Sequence, residues 1–491
     1  MTATVIDDLP AFVTDDWTYL LMPRSMHALR VPTARRAEAP WRPVLDRHRL
    51  LATGRFHQTQ PPAWGVSLVV SHLCNMSCVY CFSEVGHSQA TLPLQRMLAM
   101  VDHALERKPA TLNQPFSVNF FGGEPTLNMP EVKAVVEYVK KRCAEEGVSY
   151  LLRMVTNGTA PREDMQYVVD NGFQLTVSMD AAPARQQSQR IYGTRHNVSD
   201  TIETIRFLAA NSAEFRVRST ITGETVEYMD ETVRFFADLG VRFLHFEPVG
   251  PSGTTTAGRL RRYSSPSPEI YATNLIKAMD AARGTGLAVF GYAFQHLLTD
   301  PLSYCGPMNG EGNYFVLNAT GDLIMCPELQ DPKRNKEYNH NVGKVGNDRK
   351  VFVDLKRRSE IGAEAMPLQN VSCQSCYARD ICKSGCPSRN IQATGSLTKL
   401  DPYSCSIAKV VCADILGRLA RATFDGVEAS DEAVLRPIVL PSELCSPPFI
   451  GAGATVLKKA KLLLALSGED IDNAVDQQLH RLSTHLVGIP G

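Results

Sequence analysis

The sequence lacks an excess of charge of either sign. Its 491 residues contain 51 Lys and Arg and 51 Asp and Glu, so the formal net charge at pH 7 is +0. A protein without a strong electrostatic field has no overall attraction for nucleic acid or for an anionic membrane surface. We therefore expect neither nucleic acid nor a membrane among its partners.

The sequence also lacks an export signal and a long apolar run. Its first residues are acidic, where a secretory signal would be basic and then apolar. The apolar stretch at 460–466 is far shorter than the ~20 residues of a membrane span. We therefore expect a cytoplasmic protein. In a reducing compartment, its 13 cysteines favour metal ligation or redox chemistry over disulfides.

What the sequence does contain is an alternation of short strand-like runs with segments of helical periodicity, such as 131–147 and 200–211. Hydrophobic residues make up 44% and charged residues 21%, which is a globular composition. The alternation predicts a parallel sheet in an α/β fold, arranged as a partial (β/α)6 TIM-type barrel with its chemistry at the carboxyl ends of the strands. The six runs are 66–70, 116–121, 151–155, 175–179, 215–221 and 243–249.

The length predicts more than one domain. We expect a β-rich lead-in over 1–65, the partial barrel over 66–300, a cysteine-rich domain over 301–410 and a helical tail over 411–491.

Three cysteines, Cys74, Cys78 and Cys81, directly follow the first predicted strand with the spacing Cx₃Cx₂C. Structural zinc sites and most iron–sulfur clusters use four protein ligands, so three thiolates would leave one metal position open for a substrate or cofactor. The alternative is a zinc site completed by His72 or His87.

This spacing, with Tyr80 before the last cysteine, resembles the signature of the radical S-adenosylmethionine superfamily. The resemblance implies an enzyme whose [4Fe–4S] cluster binds the amino and carboxylate groups of S-adenosylmethionine. The reduced cluster would cleave this cofactor to a 5′-deoxyadenosyl radical, which abstracts hydrogen from the substrate. An electron donor such as flavodoxin or ferredoxin is also implied.

Further residues match the family at other predicted strand ends. A GGEP motif follows the second strand and would receive the methionine amino group; on its own it could be a simple turn. Ala181 stands where the family more often has glycine, and Arg216 competes with Arg218 for the cofactor carboxylate. The residues implied in cofactor binding are Tyr80, Gly122, Gly123, Glu124, Pro125, Asn157, Ser178, Asp180 and Arg218.

Seven later cysteines resemble the SPASM extension, which holds two auxiliary [4Fe–4S] clusters and would bring the total to three. The alternative of paired zinc knuckles fits poorly, because seven cysteines do not divide into two four-ligand sites. The fourth position of the first cluster would be open, or filled by Cys412, Cys445 or another residue. The resemblance assigns Cys305, Cys326 and Cys386 to the first cluster and Cys373, Cys376, Cys382 and Cys405 to the second.

SPASM enzymes commonly modify peptides or proteins, so the leading hypothesis is oxidative crosslinking in a ribosomal precursor peptide. Sulfatase-type maturation is disfavoured, because Pro327 follows Cys326 where that group has an Asp. Glu328 is a candidate base, although no catalytic base can be named from the sequence. Residues 1–65 show no winged-helix pattern, so a separate leader-peptide-binding protein is a possible partner. The alternatives are a small-molecule substrate and a non-enzymatic zinc-ribbon interaction protein.

Overall fold

The structure is a computed structural model. It describes residues 2–7, 9–22, 27–47, 64–81, 89–108, 115–250, 263–291, 313–329, 339–365, 373, 375–378, 382 and 386–438. The strands are β1 (Thr2–Ile6), β2 (Leu9–Val13), β3 (Trp17–Met22), β4 (His27–Pro32), β5 (Trp64–Ser71), β6 (Met76–Cys78), β7 (Phe116–Gly122), β8 (Tyr150–Thr156), β9 (Gln174–Ser178), β10 (Arg190–Tyr192), β11 (Phe215–Ile221), β12 (Phe243–Pro248), β13 (Ala288–Gly291), β14 (Asn313–Leu317), β15 (Asp322–Ile324), β16 (Asn341–Val345), β17 (Val351–Val353) and β18 (Val434–Pro437).

The helices alternate with these strands through the middle of the chain. They are α1 (Arg42–Arg47), α2 (Leu94–Leu105), α3 (Met129–Glu145), α4 (Arg162–Asp170), α5 (Pro183–Gln189), α6 (Val198–Ala210), α7 (Met229–Asp238), α8 (Pro268–Ala282), α9 (Leu355–Glu364), α10 (Pro387–Thr394) and α11 (Pro402–Phe424). The predicted alternation of strands and helices is confirmed, and the fold is of the α/β class.

An 11-stranded sheet forms the centre of the molecule, in the order β13-β12-β11-β9-β8-β7-β5-β14-β15-β16-β17. All eight residues of β5 are buried, as expected of a parallel strand that is covered on both faces. The six predicted runs are the parallel strands β5, β7, β8, β9, β11 and β12.

Two strands extend the parallel part beyond the predicted six. Strand β13 pairs parallel with β12, and β14 pairs parallel with β5 at the opposite side. From β14 the sheet continues as the antiparallel strands β15, β16 and β17. The chain therefore brings the segment before Cys326 directly against the first strand of the predicted barrel.

The crossover helices bury one apolar face each. In α3 the buried residues Val132, Val135, Val136 and Val139 recur at the three- and four-residue spacing of a helix that packs on a sheet. Cys143 lies on the same buried face and is 1% exposed, so it packs as a small core residue.

The amino-terminal strands form a separate antiparallel sheet in the order β1-β2-β3-β4-β18. The last strand comes from the predicted helical tail, which is therefore not purely helical. Helix α11 packs on this sheet, since a Cβ atom added to Gly417 would lie 2.9 Å from the ring of Phe12. Across the described ranges, no helix is long and apolar enough to span a membrane.

Candidate functional site

The loop after β5 carries the three cysteines of the first motif. Its short strand β6 pairs antiparallel with β10, which places Cys78 opposite Arg190. The N–H of Cys81 donates to the carbonyl of Cys78 at 3.1 Å, so the loop turns tightly between them. Cys74, Cys78 and Cys81 all line one cavity of about 220 Å³, here called the three-cysteine cavity.

The GGEP turn after β7 is bonded to the backbone of this loop. The N–H groups of Gly123 and Glu124 each donate at 2.8 Å, to the carbonyls of Ser71 and Leu73 respectively. A Cβ atom added to Gly122 would lie 2.4 Å from Ser71 O, and one added to Gly123 would lie 2.2 Å from Leu73 O. The two glycines therefore allow a backbone approach that no other residue permits.

The Glu124 side chain is buried and accepts four hydrogen bonds. Its Oε1 accepts from Thr126 N at 3.1 Å, Thr126 Oγ1 at 2.7 Å and Thr156 Oγ1 at 2.8 Å, while Oε2 accepts from Asn157 N at 2.6 Å. Burial raises the pKa of Glu124, and these hydrogen bonds oppose that shift. The carboxylate is thus held rigidly in the cavity wall. Pro125 begins the short 3₁₀ helix that follows and is buried.

Asn157, at the end of β8, fastens the cysteine loop from another side. Its Nδ2 donates to Asn75 Oδ1 at 2.8 Å and lies 3.9 Å from Cys74 Sγ. Asn75 in turn donates to Thr159 Oγ1 at 2.7 Å, and Thr159 Oγ1 donates to Asn157 Oδ1 at 2.7 Å. This closed ring of hydrogen bonds fixes the residue that follows Cys74.

The residues at the end of β9 do not all face the cavity. Ser178 lines it, whereas Asp180 is fully buried beside it and is bonded to other side chains. Tyr80, which also lines the cavity, donates its hydroxyl proton to Asp180. Ala181 has no positive φ, so the turn here does not require the glycine that is more common in the family.

The two candidate arginines of β11 are distinguished by their surroundings. Arg218 lines the cavity, with its Nη2 atom 3.8 Å from Glu247 Oε2. Arg216 donates from Nε to Thr176 Oγ1 at 2.9 Å, and burial lowers its pKa to about 10. The structure therefore favours Arg218 over Arg216 as a residue that can meet a ligand.

Three charged residues at this site carry no signal in the sequence. Arg190 lies in the three-residue strand β10, too short for a periodicity signal, and lines the cavity. Glu247 lies near the end of β12, and Arg389 comes from α10, just after Cys386. Arg389 donates to the Glu247 carboxylate and, at 2.9 Å, to Pro248 O.

Residues of the cysteine-rich region close the far wall of the cavity. Glu328, Gln392 and Asp401 line it together with Arg389. Glu328 Oε2 accepts from Ser388 Oγ at 3.5 Å. The barrel strands and the segments around Cys326 and Cys386 therefore enclose one common space.

Several of the later cysteines lie close to one another in the part of the chain that the structure describes. The charges of Cys376 and Cys373 contribute to the raised pKa of Cys405, and those of Cys382 and Cys376 to the raised pKa of the fully buried Cys412. In both thiols burial is the larger cause. Cys412 thus lies beside the set assigned to the second auxiliary cluster. Cys305, Cys445 and His87, for which the sequence predicts ligand roles, lie outside the described residues.

The three thiols of the first motif line one cavity, and cysteine thiolates are the usual protein ligands of [4Fe–4S] clusters, so by their chemistry these residues fit such a cluster. Burial raises the pKa of Cys74 to about 12, which disfavours the thiolate. Binding of a cluster would oppose this effect, because iron binds the deprotonated sulfur.

An α/β fold with a three-cysteine loop and a GGEP turn at the carboxyl ends of its parallel strands defines the class of radical enzymes that use S-adenosylmethionine. Residues 68–243 match the profile of the Radical SAM superfamily. This match indicates an enzyme of a class that uses S-adenosylmethionine and a [4Fe–4S] cluster, and it contradicts the non-enzymatic zinc-ribbon alternative.

Curated relatives are distant. Mycofactocin maturase MftC of Mycobacterium tuberculosis is 25% identical over 330 residues, covering 65% of this chain and 76% of that protein. The serine-type anaerobic sulfatase-maturating enzyme of Klebsiella aerogenes is 22% identical over 340 residues, covering 66% and 79%. Radical SAM cyclopropyl synthase TigE of Paramaledivibacter caminithermalis is 23% identical over 185 residues, covering 35% and 38%.

A solved structure shares the fold. Native anSMEcpe with bound AdoMet and Cp18Cys peptide superposes with a TM-score of 0.57 at 20% identity, covering 74% of this chain and 99% of that one.

Proposed function

We propose that this radical enzyme oxidatively modifies a peptide or protein substrate, with crosslinking in a ribosomal precursor peptide as the outcome. The observation that carries the proposal is the three-cysteine cavity, whose wall combines the cluster loop and the GGEP turn with residues of the cysteine-rich region. A substrate bound there would lie between the radical-generating residues and the predicted auxiliary clusters.

Within this cavity Cys74, Cys78 and Cys81 would hold the radical-generating cluster. The chemistry that this cluster would supply is the one-electron reductive cleavage of S-adenosylmethionine. The chain's own residues bind and orient the cofactor. The Gly122–Pro125 turn presents the fixed Glu124 carboxylate to the methionine amino group, and Arg218 offers a cation to the methionine carboxylate.

The remaining predicted cofactor residues divide into two roles. Ser178 and Asn157 line the cavity, where they would contact the cofactor directly. Asp180 acts as a positioning residue, because it is fully buried and holds Tyr80 and Arg190. Tyr80 itself lines the cavity beside Tyr263, with ring centroids 6.4 Å apart, and so forms part of an aromatic wall.

The names of several relatives support a peptide or protein substrate. Two are maturases, and the structural neighbour anSMEcpe was solved with a bound peptide. A small-molecule substrate is the second candidate, favoured by a match to a probable GTP 3′,8-cyclase of Methanopyrus kandleri, which is 26% identical over 188 residues. Glu328 is our candidate base, because it lines the cavity.

We further propose two auxiliary [4Fe–4S] clusters. Cys373, Cys376, Cys382 and Cys405 hold the second, and Cys305, Cys326 and Cys386 hold the first, which keeps one position open. Such clusters can accept the electron that a substrate radical releases on net oxidation. A flavodoxin- or ferredoxin-type donor supplies the first electron, and a separate leader-peptide-binding protein delivers the precursor.

The test is a reaction of the anaerobically reconstituted enzyme with reductant, S-adenosylmethionine and the precursor peptide encoded beside its gene. We expect 5′-deoxyadenosine by chromatography and a peptide lighter by two hydrogens per crosslink by mass spectrometry. The variant Cys74/Cys78/Cys81→Ala should give neither product. Formation of 5′-deoxyadenosine with an unchanged peptide mass would contradict the oxidative peptide modification.

A further inference from the structure

Arg190 joins two parts of the site that are far apart in the sequence. Its Nε donates to Asp180 Oδ1 at 3.0 Å, and its Nη2 lies 3.0 Å from the same oxygen. Its third nitrogen, Nη1, lies 3.7 Å from the Sγ atom of Cys78. One guanidinium group therefore contacts both a buried carboxylate and a thiol of the cluster loop.

The Asp180 carboxylate is held in place by further donors. Its Oδ1 accepts from Thr220 N at 2.9 Å, and its Oδ2 accepts from Gln189 Nε2 at 3.0 Å and from the Tyr80 hydroxyl. The Asp180 side chain is 0% exposed and that of Arg190 is 9% exposed. Because the carboxylate cannot move, the guanidinium that it binds is also fixed in direction.

A purely structural ion pair would account for only part of this arrangement. Pairing with Asp180 satisfies the charge of Arg190 and ties β10 to the turn after β9, which stabilises the fold. It does not require an N–H group to point at a sulfur atom.

Charge and hydrogen bonds at the sulfur atoms are among the factors that set the reduction potential of an iron–sulfur cluster. A cluster gains negative charge when it is reduced. A fixed cation and donor beside one of its thiolates therefore stabilise the reduced form and make the electron easier to add.

We propose that Arg190, oriented by Asp180, is a positioning residue that raises the reduction potential of the cluster held by Cys74, Cys78 and Cys81. This inference rests on the proposed function, because it requires a cluster at these thiols. It assigns to Asp180 a role that acts through Arg190 rather than through direct contact with the cofactor.

The experiment is a redox titration of the reconstituted enzyme, followed by EPR. The signal that changes on addition of S-adenosylmethionine identifies the cluster at Cys74, Cys78 and Cys81 among all the clusters present. Its midpoint potential is compared in wild type, Arg190→Gln, Arg190→Lys and Asp180→Asn/Arg190→Gln. The double variant removes both charges, so no uncompensated buried carboxylate is left to unfold the protein.

We expect the midpoint potential of this cluster to be lower than in wild type in both the double variant and Arg190→Gln. The expected shift is about tenfold in the reduction equilibrium, or about 59 mV for a one-electron couple. Arg190→Lys keeps the positive charge but loses the planar guanidinium group. Its midpoint potential should therefore lie between the wild-type value and that of the two other variants. The matched control is Arg389→Gln, which removes an equal charge from the same cavity but contacts Glu247; its potential should stay at the wild-type value.

Two results would overturn the inference. One is a wild-type potential in a double variant that still carries its cluster. The other is an equal shift in Arg389→Gln, which would mean that any cavity charge has the same effect. If Arg190→Gln loses its iron but the double variant keeps its cluster, the midpoint potential of the double variant decides the test. If wild type itself shows no signal that responds to S-adenosylmethionine, the proposed function fails instead.

Thermal unfolding of the anaerobically reconstituted proteins separates the structural role from the electronic one. Arg190→Gln should lower the melting temperature relative to wild type, because Asp180 loses its buried partner. If the double variant regains stability while its potential stays low, the shift in potential does not arise from a weakened fold. A double variant whose potential recovers together with its stability would contradict the inference.

Discussion

Gly123 is the single residue whose replacement we expect the site to tolerate least. In Gly123→Ala the new Cβ would lie 2.2 Å from Leu73 O and 2.6 Å from His72 O, both of them backbone atoms. The loop must move, so we predict loss of the cluster at Cys74, measured as about four irons per chain fewer after reconstitution.

The matched control is Gly147→Ala, where an added Cβ meets nothing within 4 Å and φ is +62°. This variant should cost only the left-handed penalty of about 1 kcal/mol and keep its full iron content. Wild-type iron in Gly123→Ala would show that the close approach of the GGEP turn does not hold the cysteine loop.

At the scale of secondary-structure elements, α11 connects the cavity to the later cysteines. Its N-cap residue Asp401 accepts from Tyr403 N at 3.1 Å and Ser404 N at 3.2 Å, and the helix then carries Cys405. In Asp401→Ala we predict a free energy of unfolding lower by about 1–2 kcal/mol, since an N-cap is lost. We also predict a lower iron content, because Cys405 follows the displaced turn.

Asp354→Ala is the control for this prediction. Asp354 caps α9 by accepting from Arg357 N at 2.9 Å, so the variant loses a comparable cap. Denaturant unfolding should show a similar loss of stability, while the iron content stays at the wild-type level. If both variants lose iron equally, the effect comes from general instability and not from the position of Cys405.

Elements also show what could be predicted from the sequence. Short runs of five to seven residues, rich in apolar side chains, predicted the six parallel strands, because buried parallel strands are rich in such residues. The short strands β6, β10 and β13 were not predicted, since three or four residues carry no periodicity. The pairing of β6 with β10 is what sets Arg190 against Cys78, so this residue was missed with it.

At the scale of the whole molecule, the sequence motifs identified the cavity but not its full wall. The three cysteines, Gly122, Gly123, Glu124, Ser178 and Arg218 line it, and their contact with the cofactor stays a prediction. The contact of Arg389 with Glu247 joins residues 142 positions apart, and no local pattern reports such a pair. Asp180 is a different case. The sequence motif indicates a residue of the site, but its burial depends on residues of neighbouring elements and has no local signal in the sequence.

The measurement that tests the central claim most directly is the iron and sulfide content of anaerobically reconstituted protein, together with a low-temperature EPR spectrum. Wild type is compared with the variant Cys74/Cys78/Cys81→Ala. Three four-iron clusters predict about twelve irons per chain in wild type and about eight in the variant, with loss of the signal that responds to S-adenosylmethionine. Tightly bound zinc in wild type, with no iron lost in the variant, would contradict the assignment of a radical-generating cluster to these cysteines.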